Sequence, residues 1–185
     1  MSTKYTALRG KVVIKEEFIE LVNLINNGHW KEAIIKYPFL KEHYKVKGST
    51  AVPFCKNAIT IFTNPDLSPS MYGELHLETD PGHWSTDRSY FTDLRGLEWS
   101  FITCLSDYPD GNELNKTPIA SFINVVLTKV ASHIIRLEEY YQEWDYESVG
   151  YDFDQTFKNK IVRTSKFSYI CNKCERPVFF CDGEC

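Results

Sequence analysis

The last fifteen residues constrain the fold more than any other part of the chain. Four of them are cysteine: Cys171, Cys174, Cys181 and Cys185, spaced C-x2-C-x6-C-x3-C. So short a segment cannot bury a core of its own, so its order must come from a cross-link or an ion. In a reducing compartment such a cluster reads as a metal site before it reads as disulfides. Zinc takes four thiolates at tetrahedral corners, with each sulfur about 2.3 Å away. A C-x2-C turn brings two thiolates together from one tight loop. The C-x3-C pair makes a second loop, in which Gly183 permits the sharp turn, and Arg176-Pro177 favours a reversal between the two. All four positions are then filled by protein, which marks a closed structural site rather than a catalytic one. Lys166, Lys173 and Arg176 lie close in sequence and offset the negative charge of four thiolates. Disulfides and an iron–sulfur centre are the alternatives.

This segment resembles zinc knuckles and zinc ribbons. The resemblance covers the cysteine cluster alone and implies a structural Zn2+, not a partner. The tail also interleaves Lys158, Lys160, Arg163, Lys166, Lys173 and Arg176 with Phe157, Phe167, Tyr169, Phe179 and Phe180. Cations alternating with rings are what stacking on a nucleic-acid strand requires. The same rings would equally serve as the miniature core of a zinc module.

The rest of the 185-residue chain has ordinary globular composition, 43% hydrophobic with 15% aromatic residues, and its length suits one domain. Disordered, collagen-like and coiled-coil classes are excluded. A net charge of -4 argues against a dedicated nucleic-acid coat protein. The first fifty residues are net basic, and 51–150 net acidic. No run approaches the roughly 18 apolar residues of a membrane span, and no apolar signal region follows Met1-Ser2-Thr3-Lys4-Tyr5. The expectation is a cytoplasmic, reducing location. Cys55 and Cys104, in apolar surroundings, read as small core residues.

The expected architecture is α+β: an antiparallel sheet of three to four strands packed by a long helix, with an N-terminal helical hairpin and a C-terminal zinc knuckle-like tail. The globular domain is expected over 1–160 and the metal module over 161–185. Within the domain, 1–48 carries the hairpin. Phe18, Leu21, Val22 and Ile25 mark a first helix, Asn27-Gly28 ends it, and Trp30, Ala33, Ile34 and Tyr37 mark a second that Pro38 stops. No second copy of this unit follows at a fixed period, so a solenoid is rejected. A DNA-reading helix-turn-helix is disfavoured because Glu32 sits between Lys31 and Lys36. Residues 51–112 are β-rich, with strands over 58–63, 72–78 and 97–105. Thr117 is a plausible N-cap with Pro118 at N1, opening a helix over 117–144. Its stripe is Ile119, Phe122, Ile123, Val126, Val130, Ile134, Leu137, Tyr141 and Trp144. Glu138, Glu139 and Glu143 would gather at its C-terminal end as a solvated face or an electrostatic docking surface. Residues 145–160 read as a connection with a short helix.

For chemistry, His76-Leu77-Glu78 invites comparison with the H-x-E of zinc deaminases. Cys171 is preceded by Ile170 rather than Pro, and the four cysteines are better explained by one another, so that reading is rejected. His76 and Glu78 would share one strand face with Glu74 and could bind a metal or move protons. The plainer reading is a solvated strand face. No nucleotide-binding glycine loop, H-E-x-x-H or G-x-S-x-G is present. The favoured function is therefore a non-enzymatic protein-interaction module: an adaptor, an assembly subunit, or an inhibitor or immunity-type partner. Its candidate surface is Trp84, Tyr90, Phe91, Asp87 and Asp93, aromatics of the hot-spot type among acids, which could instead be core. A nucleic-acid-binding subunit using the tail is the alternative, and a metal-dependent enzyme using His76 and Glu78 the second.

Overall fold

The computed structural model describes residues 5–55, 92–106, 117–141, 148–157 and 159–167. These residues form a mixed fold of helices and a six-stranded antiparallel sheet. The strands are β1 (Tyr5–Ile14), β2 (Asp93–Arg95), β3 (Glu98–Ser106), β4 (Ala131–Tyr141), β5 (Ser148–Phe153) and β6 (Ile161–Phe167), in the spatial order β2-β3-β1-β4-β5-β6. The helices are α1 (Ile19–Asn26), α2 (Trp30–Lys36), α3 (Leu40–Tyr44), α4 (Pro118–Ser121) and α5 (Thr128–Val130), with a π-helical stretch, Phe122–Leu127, joining the last two.

β1 is the central strand, paired on one side with β3 and on the other with β4. It lies inside the segment expected to hold only a helical hairpin. Its signal is muted because Arg9-Gly10-Lys11 interrupts the apolar run, yet Leu8, Val12 and Ile14 are all buried. Gly10 is there for space. A Cβ at this position would come within 2.5 Å of the Phe101 ring and 2.9 Å of Leu137 Cδ1.

β3 falls where the alternation over 97–105 places a strand, with Trp99, Phe101 and Leu105 buried. The rings of Trp99, Phe101 and Phe122 meet edge-on, with centroids 5.0, 5.6 and 5.2 Å apart. Such pairs add about 0.5–1.5 kcal/mol each beyond burial, and these join the sheet to the π-helical stretch. Trp99 Nε1 donates to Asn26 Oδ1 at 3.0 Å, tying α1 to the same centre.

The helix expected over 117–144 is corrected. Its start is as the sequence indicates: Thr117 is extended, and its side chain accepts from the Ala120 N–H at 3.1 Å. The helix stops at Val130, and the chain continues as β4. Val126, Val130 and Ile134 are four apart, an even step that satisfies both a helical stripe and one face of a strand. Long-range pairing with β1 and β5 decides between them. Glu138 and Glu139 are accordingly buried strand residues, not a solvated helix end. Two register shifts against β1 bend β4. The first leaves Ile135 unpaired and exposed. At the second, Ser132 Oγ donates to Val13 O at 3.0 Å.

The expected connection over 145–160 instead contains β5. β6, at the start of the segment expected as the metal module, is hydrogen-bonded to β5. The strands expected over 58–63 and 72–78 lie outside the described residues. Cys55 is half-buried and packs against the core, and Cys104 pairs with Ala7 in the β3–β1 ladder. Among the described residues, no helix is long and apolar enough to cross a membrane.

Candidate binding cleft at the β5–β6 edge

Among the described residues the fold assembles three polar constellations. The first lies within the helix layer. His43 Nε2 is 3.2 Å from Val52 O, and its Nδ1 is 3.1 Å from Ser121 Oγ. A carbonyl only accepts, so the proton sits on Nε2 and Nδ1 accepts from the Ser121 hydroxyl. The atoms are those of a nucleophile and base. However, His43 is 0% and Ser121 4% exposed. Burial lowers the His43 pKa to about 4 and keeps the ring neutral. The pair fastens α3 to α4.

The second joins β1 and β4. Arg9 faces Glu138 in the register, and Arg9 Nε donates to Glu138 Oε2 at 2.9 Å. Arg136 Nε donates to the other oxygen, Oε1, at 2.7 Å. Both Arg9 and Glu138 are buried, so this carboxylate is held by two guanidinium groups within the sheet.

The third opens to solvent. Glu139 is the residue after Glu138 and projects from the opposite sheet face. It is 2% exposed. Tyr151 on β5 donates its hydroxyl to Glu139 Oε2. Arg163 on β6 pairs with Tyr151 in the register. Its Nε donates to the Tyr151 oxygen at 3.2 Å, and its Nη2 lies 3.7 Å from Glu139 Oε2. Burial, reinforced by the Glu139 charge, raises the Tyr151 pKa, so the phenol stays protonated and donating.

Arg163 and Tyr151 line a cleft of about 530 Å³, together with Lys160, Ile161 and Val162 of the β5–β6 hairpin and Ala120, Ile123 and Asn124 of the facing helix. This is within the roughly 300–1,000 Å³ range of ligand sites. The helical wall includes the π-helical stretch, a distortion frequently found at functional sites. The hairpin turn is set by Asp154, whose Oδ1 accepts the N–H groups of Phe157 at 3.0 Å and Thr156 at 2.7 Å. These bonds hold the Asp154 pKa below its ordinary value. Its own N–H donates to Lys160 O at 2.8 Å, which fixes the backbone of Lys160, a lining residue of the cleft.

The cleft residues carry no recognisable motif. Arg163 and Lys160 were legible only as cations of the tail, and Glu139 only as one acid of a helix end. Period-2 alternation over 148–153 and 161–167 is the signal that could have found them. Of the residues singled out earlier, Asp93 is on β2, where its carboxylate meets Arg95 Nε at 3.2 Å. Trp84, Tyr90, Phe91, Asp87, His76, Glu78, Cys171, Cys174, Cys181 and Cys185 lie outside the described residues. Among the described residues, no group of three or more His, Cys, Asp or Glu could hold a metal ion. No protein-family model matches the chain, and no curated protein or solved structure matches it.

Proposed function

We propose that the chain is a non-enzymatic protein-interaction module of a reducing, intracellular compartment, docking a partner at the β5–β6 cleft. The observation that supports this is the cleft itself. Its apolar walls (Ala120, Ile123, Ile161, Val162) meet the cationic side chains of Lys160 and Arg163 beside strand β6, which ends the sheet among the described residues. Apolar anchor pockets bordered by polar groups are where interface energy concentrates. The acidic stretch with Trp84, Asp87, Tyr90, Phe91 and Asp93 belongs to the proposal as a second contact surface. A structural zinc on Cys171, Cys174, Cys181 and Cys185 would fix the tail that follows β6.

The test is a tagged pull-down from the native cell, with and without nuclease, read by mass spectrometry. It compares the parent with Asn124→Tyr, which fills the cleft from an exposed helix position, after checking that both melt alike. The expected result is a stoichiometric protein partner that survives nuclease and is lost from the variant. Partners lost on nuclease treatment would instead favour the basic-aromatic tail and nucleic acid, with affinity falling steeply with salt.

A further inference from the structure

The turn between α1 and α2 carries a chemistry of its own, apart from the cleft. Asn27-Gly28 is the only Asn-Gly pair in the sequence, and both residues are exposed. We propose that this turn is a self-modification site, at which Asn27 loses its side-chain amide whenever the end of α1 opens. In the reaction the Gly28 backbone nitrogen attacks Asn27 Cγ. The new N–Cγ bond closes a cyclic imide and the bond from Cγ to the side-chain nitrogen breaks. The Gly28 proton passes through water to that nitrogen, which leaves as ammonia. Water then opens the ring at either carbonyl, leaving aspartate or isoaspartate at position 27. Water is the only co-reactant. Glycine is the residue that least obstructs the attacking nitrogen, because it has no Cβ.

The folded turn holds this reaction back. Closure needs the Gly28 nitrogen to swing round to the Cβ side of Asn27. With Asn27 at ψ 2°, that nitrogen instead eclipses the Asn27 backbone nitrogen. It is also engaged: the Gly28 N–H donates to Ile25 O at 2.9 Å, and the following His29 N–H donates to Leu24 O at 2.8 Å. Gly28 sits at φ +76°, the left-handed conformation that closes a helix end. Rotating ψ of Asn27 breaks both bonds and unseats Gly28. The gate is therefore local opening of the last turn of α1, an event that costs less than global unfolding. Conversion then loosens α1 further. It puts a negative charge at the negative end of the helix dipole, directly after Asn26, whose side chain holds Trp99 Nε1.

The experiment incubates the full chain folded, and separately unfolded in urea, at one pH and temperature. Conversion at position 27 is followed by peptide mass spectrometry with an isoaspartate assay. The unfolded chain should convert roughly tenfold faster or more, because opening must break the Gly28 and His29 bonds together. The same ratio should equal the protection of the Gly28 amide against hydrogen exchange in the folded chain. Asn27→Gln, whose amide lies one methylene further out, should stop the conversion in both states. In the converted chain, separated by charge, the Trp99 indole proton should exchange faster. No conversion in urea, or equal rates in the two states, would overturn the proposal. A ratio matching the global stability from urea unfolding, rather than the Gly28 protection, would overturn the local gate. An unchanged Trp99 exchange rate would overturn the loosening of α1.

Discussion

His43 is an ionisable side chain used as a core residue. Both ring nitrogens are bonded, the ring packs 5.8 Å from Phe122 and 4.8 Å from Tyr44, and burial depresses its pKa to about 4. The ordinary value is about 6.5, and it applies in the unfolded chain. Below that pH the unfolded chain takes up a proton that the folded chain refuses. The stabilising contribution of the neutral ring is therefore complete above about pH 6.5, declines as pH falls, and is gone near pH 4, a span on the order of 3 kcal/mol. Urea unfolding at pH 7, 6 and 5 should show this slope in the parent. His43→Phe should be less stable at pH 7 and have a flatter profile between pH 6.5 and 5. Identical slopes in the two proteins would remove His43 as the cause. None of this was legible in sequence, because the partners, Ser121 and Val52, are 78 and 9 residues away.

At the scale of elements, β4 shows where sequence patterns run out. Trp99, Phe101 and Leu105 announce β3 because alternate residues face opposite environments. Thr117-Pro118 announces a helix start because capping is a local interaction. The end of that helix is not local: Val130 and Ile134 fit either period, and nothing before them says that β1 is waiting for a second neighbour. β1 was hidden for a related reason, since Arg9 is buried where an apolar residue would be expected. Glu138 is its counterpart, and the two were readable only as a pair. Removing one partner of a buried ion pair leaves an uncompensated charge, whereas replacing both with apolar residues costs far less. Arg9→Met should cost about 2–4 kcal/mol, the lower end reflecting the Arg136 bond that Glu138 keeps. The double variant Arg9→Met with Glu138→Leu should recover at least half of that loss. Urea titrations of the three proteins measure it, and a double variant no more stable than Arg9→Met would show that the charge is not the source of the cost.

At the scale of the molecule, the cleft and the cysteine tail pose opposite problems of legibility. The cleft exists only because β5, β6 and the π-helical stretch converge, so no spacing along the chain could announce it. The cysteine spacing needs no tertiary information, because the ligands of a knuckle are local. The two are neighbours in sequence: Cys171 follows the end of β6 by four positions, and β6 supplies Arg163. A zinc ion gathering Cys171, Cys174, Cys181 and Cys185 would therefore anchor the chain immediately beyond the cleft wall. The core of the described residues is built from Leu8 to Ile161, and the expectation is that it holds without the tail. Purified, reduced protein should then carry one zinc per chain by elemental analysis, and Cys174→Ser should lose it. Chelation should leave the near-ultraviolet signature of Trp99 and its neighbouring rings intact. It should also broaden or shift amide resonances near Arg163, where the tether is released. Metal well below one equivalent, with Cys174→Ser as stable as the parent, would remove the zinc proposal. Collapse of the Trp99 signature on chelation would show instead that the tail is part of the cooperative unit.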